Sequence, residues 1–166
     1  GGGIAATVLP TRQSSDSELA HLGIERMREA LRNGTTHMEA KSGYGLDTKT
    51  ELRLLTIAES ISAIQGLPSL DLTWLGAHAA PPSSTIDSYF EDIISEQLPA
   101  ILEQGIARSA DVFCEPGWFN IEQTEEIMKA SREGFNSGDS RPISVLILSF
   151  DFTVERALPA SVSYTH

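Results

Sequence analysis

The sequence predicts an α/β domain built on a parallel sheet, and three observations carry that prediction. Three short runs rich in strand formers, Thr35 to Ala40, Leu70 to Leu75 and Ala110 to Cys114, are each followed by a stretch of helical character. Two of these runs end in polar, small-residue loops, Lys41-Ser42-Gly43-Tyr44-Gly45-Leu46 and Gly76-Ala77-His78-Ala79-Ala80-Pro81. Helix-start signatures stand at Ser15 to Glu18, Thr48 to Glu51 and Asn120 to Gln123. Repeated strand-then-helix units imply right-handed crossovers and a parallel sheet covered on both faces, which either a barrel or an open doubly wound sheet would satisfy.

The first helix should begin at the capping box Ser15-Asp16-Ser17-Glu18, where serine and glutamate satisfy each other's free backbone N–H groups. Leu19, Leu22, Met27, Ala30 and Leu31 recur at roughly helical spacing, and Asn33-Gly34 supplies a stop near Arg32. A strand from Thr35 to Ala40 feeds the Lys41 to Leu46 loop, and a second capping box, Thr48-Lys49-Thr50-Glu51, opens a helix running to about Ile64. The second strand, Leu70 to Leu75, leads into the His78 loop and then a helix from Ser88 to Gln104. Pro99 removes a backbone donor inside that helix, so a kink or break is expected near Leu98. The third strand, Ala110 to Cys114, ends in the turn Glu115-Pro116-Gly117, and a capped helix follows through Arg132. Beyond a turn-rich stretch, Ile143 to Leu148 could form one more strand of the sheet.

Composition narrows the function classes. The chain has 166 residues, 40% hydrophobic and 21% charged, enough for one globular domain with a sizeable core. Its 12 basic and 23 acidic residues give a formal charge of −11, which opposes binding to nucleic-acid backbones or anionic membranes. No apolar stretch approaches the roughly 20 residues of a spanning helix, and the N-terminus lacks the plan of a signal peptide, so the expected compartment is the cytoplasm. Cys114 is the single cysteine, which excludes an intrachain disulfide and reads as a small buried apolar residue.

The loops at the strand ends hold the candidate chemistry, because loops there vary freely while the sheet fixes their ends. Gly43 and Gly45 flank Tyr44 and would let backbone approach a ligand, with the following helix start aiming free N–H groups at the same space; a carboxylate would suit it. A plain strand-to-helix turn is the equal alternative. Tyr44 could stack on a planar ring and donate its hydroxyl, whereas Lys41 reads as structural. His78 stands between small residues ahead of Pro81-Pro82, where a ligand could reach its ring. Glu115 could bind metal, act as a base or orient a neighbour, or simply occupy a turn before Pro116. His21 and His37 read as structural, and no His-x-His, His-x-x-x-His or clustered Cys/His spacing occurs.

The two loops, together with Asp111-Val112-Phe113-Cys114-Glu115 and the opening Gly1-Gly2-Gly3-Ile4, resemble the imidazolonepropionases, metal-dependent cyclic amidohydrolases of histidine breakdown. The resemblance runs from Gly1 to about Asn136 and implies a partial (β/α)8 TIM-type barrel of about three βα units. It implies hydrolysis of 4-imidazolone-5-propanoate to N-formimidoyl-L-glutamate by a metal-bound hydroxide. Tyr44 and His78 would contact this small-molecule substrate, His78 by hydrogen bonding the ring carbonyl. It also implies a homodimer and a zinc or iron ion, whose family ligands are a His-x-His pair upstream of Gly1, a later histidine and a late aspartate. None of those ligand positions exists in this chain, so the isolated chain is expected to be inactive. Residues 137–166 diverge abruptly, with His166 their only histidine, and a frameshift or similar sequence artefact is preferred over real divergence. The alternatives are another metal-dependent amidohydrolase such as a deaminase, a non-catalytic α/β anion-binding module, or a truncated product without function.

Overall fold

A computed structural model describes residues 4–133, 144–148 and 163–164. Helices α1 (Ile4–Gln13) and α2 (Asp16–Arg32) precede strand β1 (His37–Lys41), helix α3 (Thr48–Ser62) and strand β2 (Ser69–Ala77). Helix α4 (Ile86–Asp92), a π-helical turn (Ile93–Gln97) and helix α5 (Leu98–Gln104) lead to β3 (Ser109–Phe113) and α6 (Ile121–Glu133). Strands β4 (Ser144–Leu148) and β5 (Ser163–Tyr164) complete one sheet in the order β1-β2-β3-β4-β5, with every pair parallel. Each strand is laid beside its predecessor. The order never reverses, whereas a doubly wound sheet reverses it at a switch point.

The described helices lie on one face of the sheet. Leu70, Leu72 and Trp74 of β2 and Ala110 and Val112 of β3 pack with Leu55, Phe90, Ile93, Leu98, Ile101 and Ile127 in one core. Met27 of α2 joins Ile57 and Ile61 of α3 over Met38 and Leu70 in a second cluster. The alternating positions Glu39, Lys41, Asp71, Thr73, Ser109 and Asp111 are polar and belong to the opposite face, as a period of two requires. Cover on both faces was the expectation; the structure replaces it with one apolar, helix-covered face and one polar face cross-linked by its own side chains. His37 bonds Ser69 (2.8 Å) and Thr73 donates to Glu39 (2.5 Å) on that polar face.

Local signals account for most element boundaries. Ser15 and Glu18 form the expected capping box of α2. At α3 the cap shifts by one residue: Asp47, not Thr48, accepts from the Thr50 N–H (2.7 Å), and Glu51 is drawn away into the preceding loop. Asn120 and Gln123 satisfy each other's backbone at the start of α6. The interruption expected at Pro99 is a widened turn, with the Leu98 N–H reaching back to the Ile93 carbonyl, five residues away. That widening spares the Ser95 carbonyl a clash with the proline ring. It also sends Gln97 inward, where its Oε1 accepts from Trp74 Nε1 (2.9 Å) and its Nε2 donates to the Tyr89 hydroxyl (3.1 Å). Helix α1 was not foreseen, because its apolar residues lack a clear period. Of the tail at 137–166, the expected strand after Ile143 is present as β4, and the rest apart from β5 lies outside the described residues.

One irregularity decides where the chemistry points. Between Trp74 and Ala77, β2 carries one more residue than the paired stretch Ala110 to Val112 of β3. Trp74 and Ala77 therefore both face the helices, and His78, next along the chain, emerges on the polar face. Regular alternation from Trp74 would have turned His78 into the core.

Candidate active site

Lys41 closes β1, Asp111 sits within β3 and His78 follows β2 directly, so three neighbouring strands bring them together on the polar face. Lys41 Nζ lies 2.7 Å from Asp111 Oδ2 and 3.4 Å from Glu39 Oε2. The other Asp111 oxygen, Oδ1, is 3.1 Å from His78 Nε2. This last pair is within ion-pair range but off the axis of a well-formed hydrogen bond, and neither atom has another partner among the described residues. Asp111 is 1% exposed, so its charge needs these neighbours. The His78 ring is stacked on Phe113 at 5.6 Å, and Phe113 meets the half-exposed Trp118 at the same distance.

Burial alone would raise the Asp111 pKa, but the contacts from His78 and Lys41 outweigh it and hold the carboxyl below its usual value of 3.8. Burial likewise works to lower the Lys41 pKa, and Asp111 with Glu39 turns the balance so that it rises above 10.5. The signs set two pH limits. The Asp111 contribution to stability is present above 3.8 and is lost as pH falls through the lower folded value. The Lys41 contribution is present below 10.5 and is lost as pH rises through the higher one. Melting temperature measured against pH should therefore fall on the acid side, and Asp111→Asn should flatten that fall. An unchanged acid limb in a folded Asp111→Asn variant would contradict the pairing.

The Tyr44 loop is held from beneath. The buried Glu51 carboxylate accepts the backbone N–H groups of Gly43 (2.5 Å), Gly45 (2.9 Å) and Leu46 (2.8 Å). Gly43 has φ of 89°, and a Cβ there would stand 2.6 Å from the Leu75 carbonyl oxygen, so only glycine fits. Leu46 holds φ of 53°, a strained value for a leucine, while its side chain is locked in the core. Arg12 of α1 donates to the Gly45 and Leu46 carbonyls at 2.8 and 3.2 Å. The expected use of these amides for an external carboxylate is thereby corrected. The carboxylate they bind is internal, Asp47 caps α3, and Gly43 and Gly45 pack closely against Leu75 and Thr50. Tyr44 itself is 40% exposed at the loop tip.

The other candidates separate. Glu115 supplies its carbonyl to the Trp118 N–H (2.9 Å), closing the turn foreseen for it. Cys114 is buried and paired by a bridge with Phe119. His21 lies on an exposed side of α2, whereas His37, besides bonding Ser69, has its Nε2 3.3 Å from Asp71. Asp111 is the residue that sequence reasoning missed; an acid inside the apolar run Ala110-Asp111-Val112-Phe113 was the available signal. A cleft of about 400 Å³ lined by Arg12, Asp47, Pro81, Tyr89 and Gln97 includes neither His78 nor Asp111.

A metal ion does not fit the described residues. No three His, Cys, Asp or Glu side chains converge among them, and the one close His–carboxylate pair on this edge, His78 with Asp111, already faces the Lys41 ammonium. No helix among the described residues is long and apolar enough to cross a membrane.

No protein-family model matches the chain. Among individual proteins, it is 43% identical over 135 residues to an imidazolonepropionase of Shewanella woodyi, covering 80% of this chain and 33% of that one. The chain is homologous to one third of an imidazolonepropionase. An imidazolonepropionase of Shewanella sediminis is 42% identical over 135 residues, and one of Shewanella putrefaciens 42% over 134 residues, with the same coverage. The chain thus spans about a third of the length of these imidazolonepropionases.

Proposed function

We propose that this segment is an arc of a (β/α)8 barrel and forms the substrate-positioning edge of an imidazolonepropionase. The enzyme would add water across the cyclic amide C–N bond of 4-imidazolone-5-propanoate, yielding N-formimidoyl-L-glutamate. Sequence similarity at 43% identity supports the reaction class. The sequential parallel sheet, with a polar face opposite the described helices, supports the barrel, whose interior such a face would line. The observation that carries the reading is the placement of His78: a bulge turns it onto the polar edge, where its ring stacks on Phe113.

In this reading His78 hydrogen-bonds the ring carbonyl and stabilises negative charge that develops on its oxygen as water adds. Phe113 keeps the imidazole plane fixed, so the donor is in place before the reaction starts. Tyr44, projecting from a loop that Glu51 immobilises, stacks on the planar ring. The loop amides are occupied by Glu51, so recognition of the substrate carboxylate is not assigned to them. The described residues do not hold the zinc or iron ion of the parent enzyme. The assembled enzyme is read as a cytoplasmic homodimer acting on a small molecule, as the resemblance implies.

The test is a chimera in which this chain's matched segment replaces its counterpart in the Shewanella woodyi imidazolonepropionase. The chimera should turn over 4-imidazolone-5-propanoate. His78→Ala should lower kcat by about 100- to 1,000-fold, the usual loss for one charge-stabilising donor, whereas Tyr44→Ala should chiefly raise KM, by about tenfold. Full turnover by a folded His78→Ala chimera would overturn the reading.

A further inference from the structure

The polar edge contains a group that the reaction reading leaves without a task, the buried Asp111. We propose that Asp111 is a positioning residue for His78: its Oδ1 accepts the His78 Nε2 proton, so that Nδ1 is the nitrogen offered to a ligand. The inference rests on the proposed role of His78, but the orientation of the ring can be measured without any substrate.

Three observations converge on it. His78 Nε2 and Asp111 Oδ1 are both buried, lie 3.1 Å apart, and have no other hydrogen-bond partner among the described residues. The His78 side chain nevertheless keeps 10% exposure, so the part of the ring that solvent reaches is not Nε2. Finally, Lys41 engages the other carboxylate oxygen at 2.7 Å, which divides the two oxygens between two partners and stops the carboxylate from rotating. A contact that is short but poorly aligned without ligand is common where a bond tightens on binding. With Nε2–H committed to Asp111, the ring donates to a carbonyl through Nδ1–H in its doubly protonated form, and the Asp111 carboxylate balances that charge. Phe113 holds the ring plane and Asp111 sets its rotation within that plane, two constraints from one strand.

The direct test is proton and nitrogen NMR of the histidine side chains in the 166-residue chain, with the His78 signals assigned by their loss in His78→Gln. The expected result is a slowly exchanging, downfield Nε2–H proton on His78 that is absent in Asp111→Asn and retained in Asp111→Glu. Absence of that proton in the unmodified chain, or its persistence unchanged in Asp111→Asn, overturns the proposal. The first of these outcomes needs no variant to fold. In the chimera, Asp111→Asn should lower kcat tenfold or more, with partial recovery in Asp111→Glu, because a carboxylate is restored. If His78→Ala leaves turnover intact, the reaction reading falls, while the Nε2–H measurement still decides whether Asp111 positions the ring.

Discussion

Replacement of Glu51 by alanine is expected to destabilise the fold by about 3–5 kcal/mol, the range for stripping a buried charged group from its partners. Glu51 is 0% exposed and is the acceptor for the loop N–H groups of Gly43, Gly45 and Leu46, which would be left without partners in a buried site. Glu51→Gln keeps one acceptor oxygen but turns an NH2 group toward a backbone donor, so it should cost less than alanine and more than a surface change. Urea unfolding monitored by circular dichroism measures both. The loop should also lose its shape: Leu46 retains its left-handed backbone only while the cradle and the core hold it, so Tyr44 should gain mobility in the variant. A Glu51→Ala chain as stable as the parent would contradict the cradle.

The second large effect is expected at Gly76. A Cβ there would stand 2.2 Å from Gln97 Oε1 and 2.5 Å from two atoms of the Trp74 ring. Trp74 is fully buried and Gln97 nearly so, and the Trp74–Gln97–Tyr89 bonds tie them together, so neither side chain can step aside cheaply. Gly76→Ala should therefore cost about 2–4 kcal/mol, from overpacking plus a strained or broken buried hydrogen bond. Its consequence reaches further than stability. Gly76 lies in the bulge that turns His78 onto the polar edge, so relief of the clash by straightening β2 would rotate His78 toward the core. The variant should lose the His78 Nε2–H signal even where it remains folded, whereas Gly66→Ala, which strains only its own left-handed turn (φ 82°) and meets no atom within 4 Å, should keep it.

Legibility in the sequence followed the range of the interaction. The Ser15–Glu18 box and the Asn120–Gln123 pair were readable because both partners lie within one helical turn. The motif at Thr48–Glu51 looked the same and was misread: Glu51 answers to amides of a loop that only the folded chain brings within reach. Pro99 announced an interruption, but the widened turn and its inward Gln97 depend on Trp74 across the core. One-sided cover was available in the alternation of His37-Met38-Glu39-Ala40-Lys41 and Ser69-Leu70-Asp71-Leu72-Thr73, which places every second residue on a polar face. His78 was singled out correctly as a loop residue, yet its direction depends on a bulge with no local signature beyond Gly76. Asp111 escaped notice because its partners come from two other strands.

The measurement that tests the central claim most directly is a titration of the isotope-labelled chain with hydantoin-5-propionate, a stable planar cyclic amide carrying the same carboxylate tail. The account predicts saturable NMR shifts confined to the polar strand-end residues, His78, Asp111, Phe113 and Tyr44, with Tyr44→Ala weakening the binding. Shifts centred instead on the Arg12, Asp47 and Tyr89 cleft, or no saturable shifts in a folded chain, would contradict it.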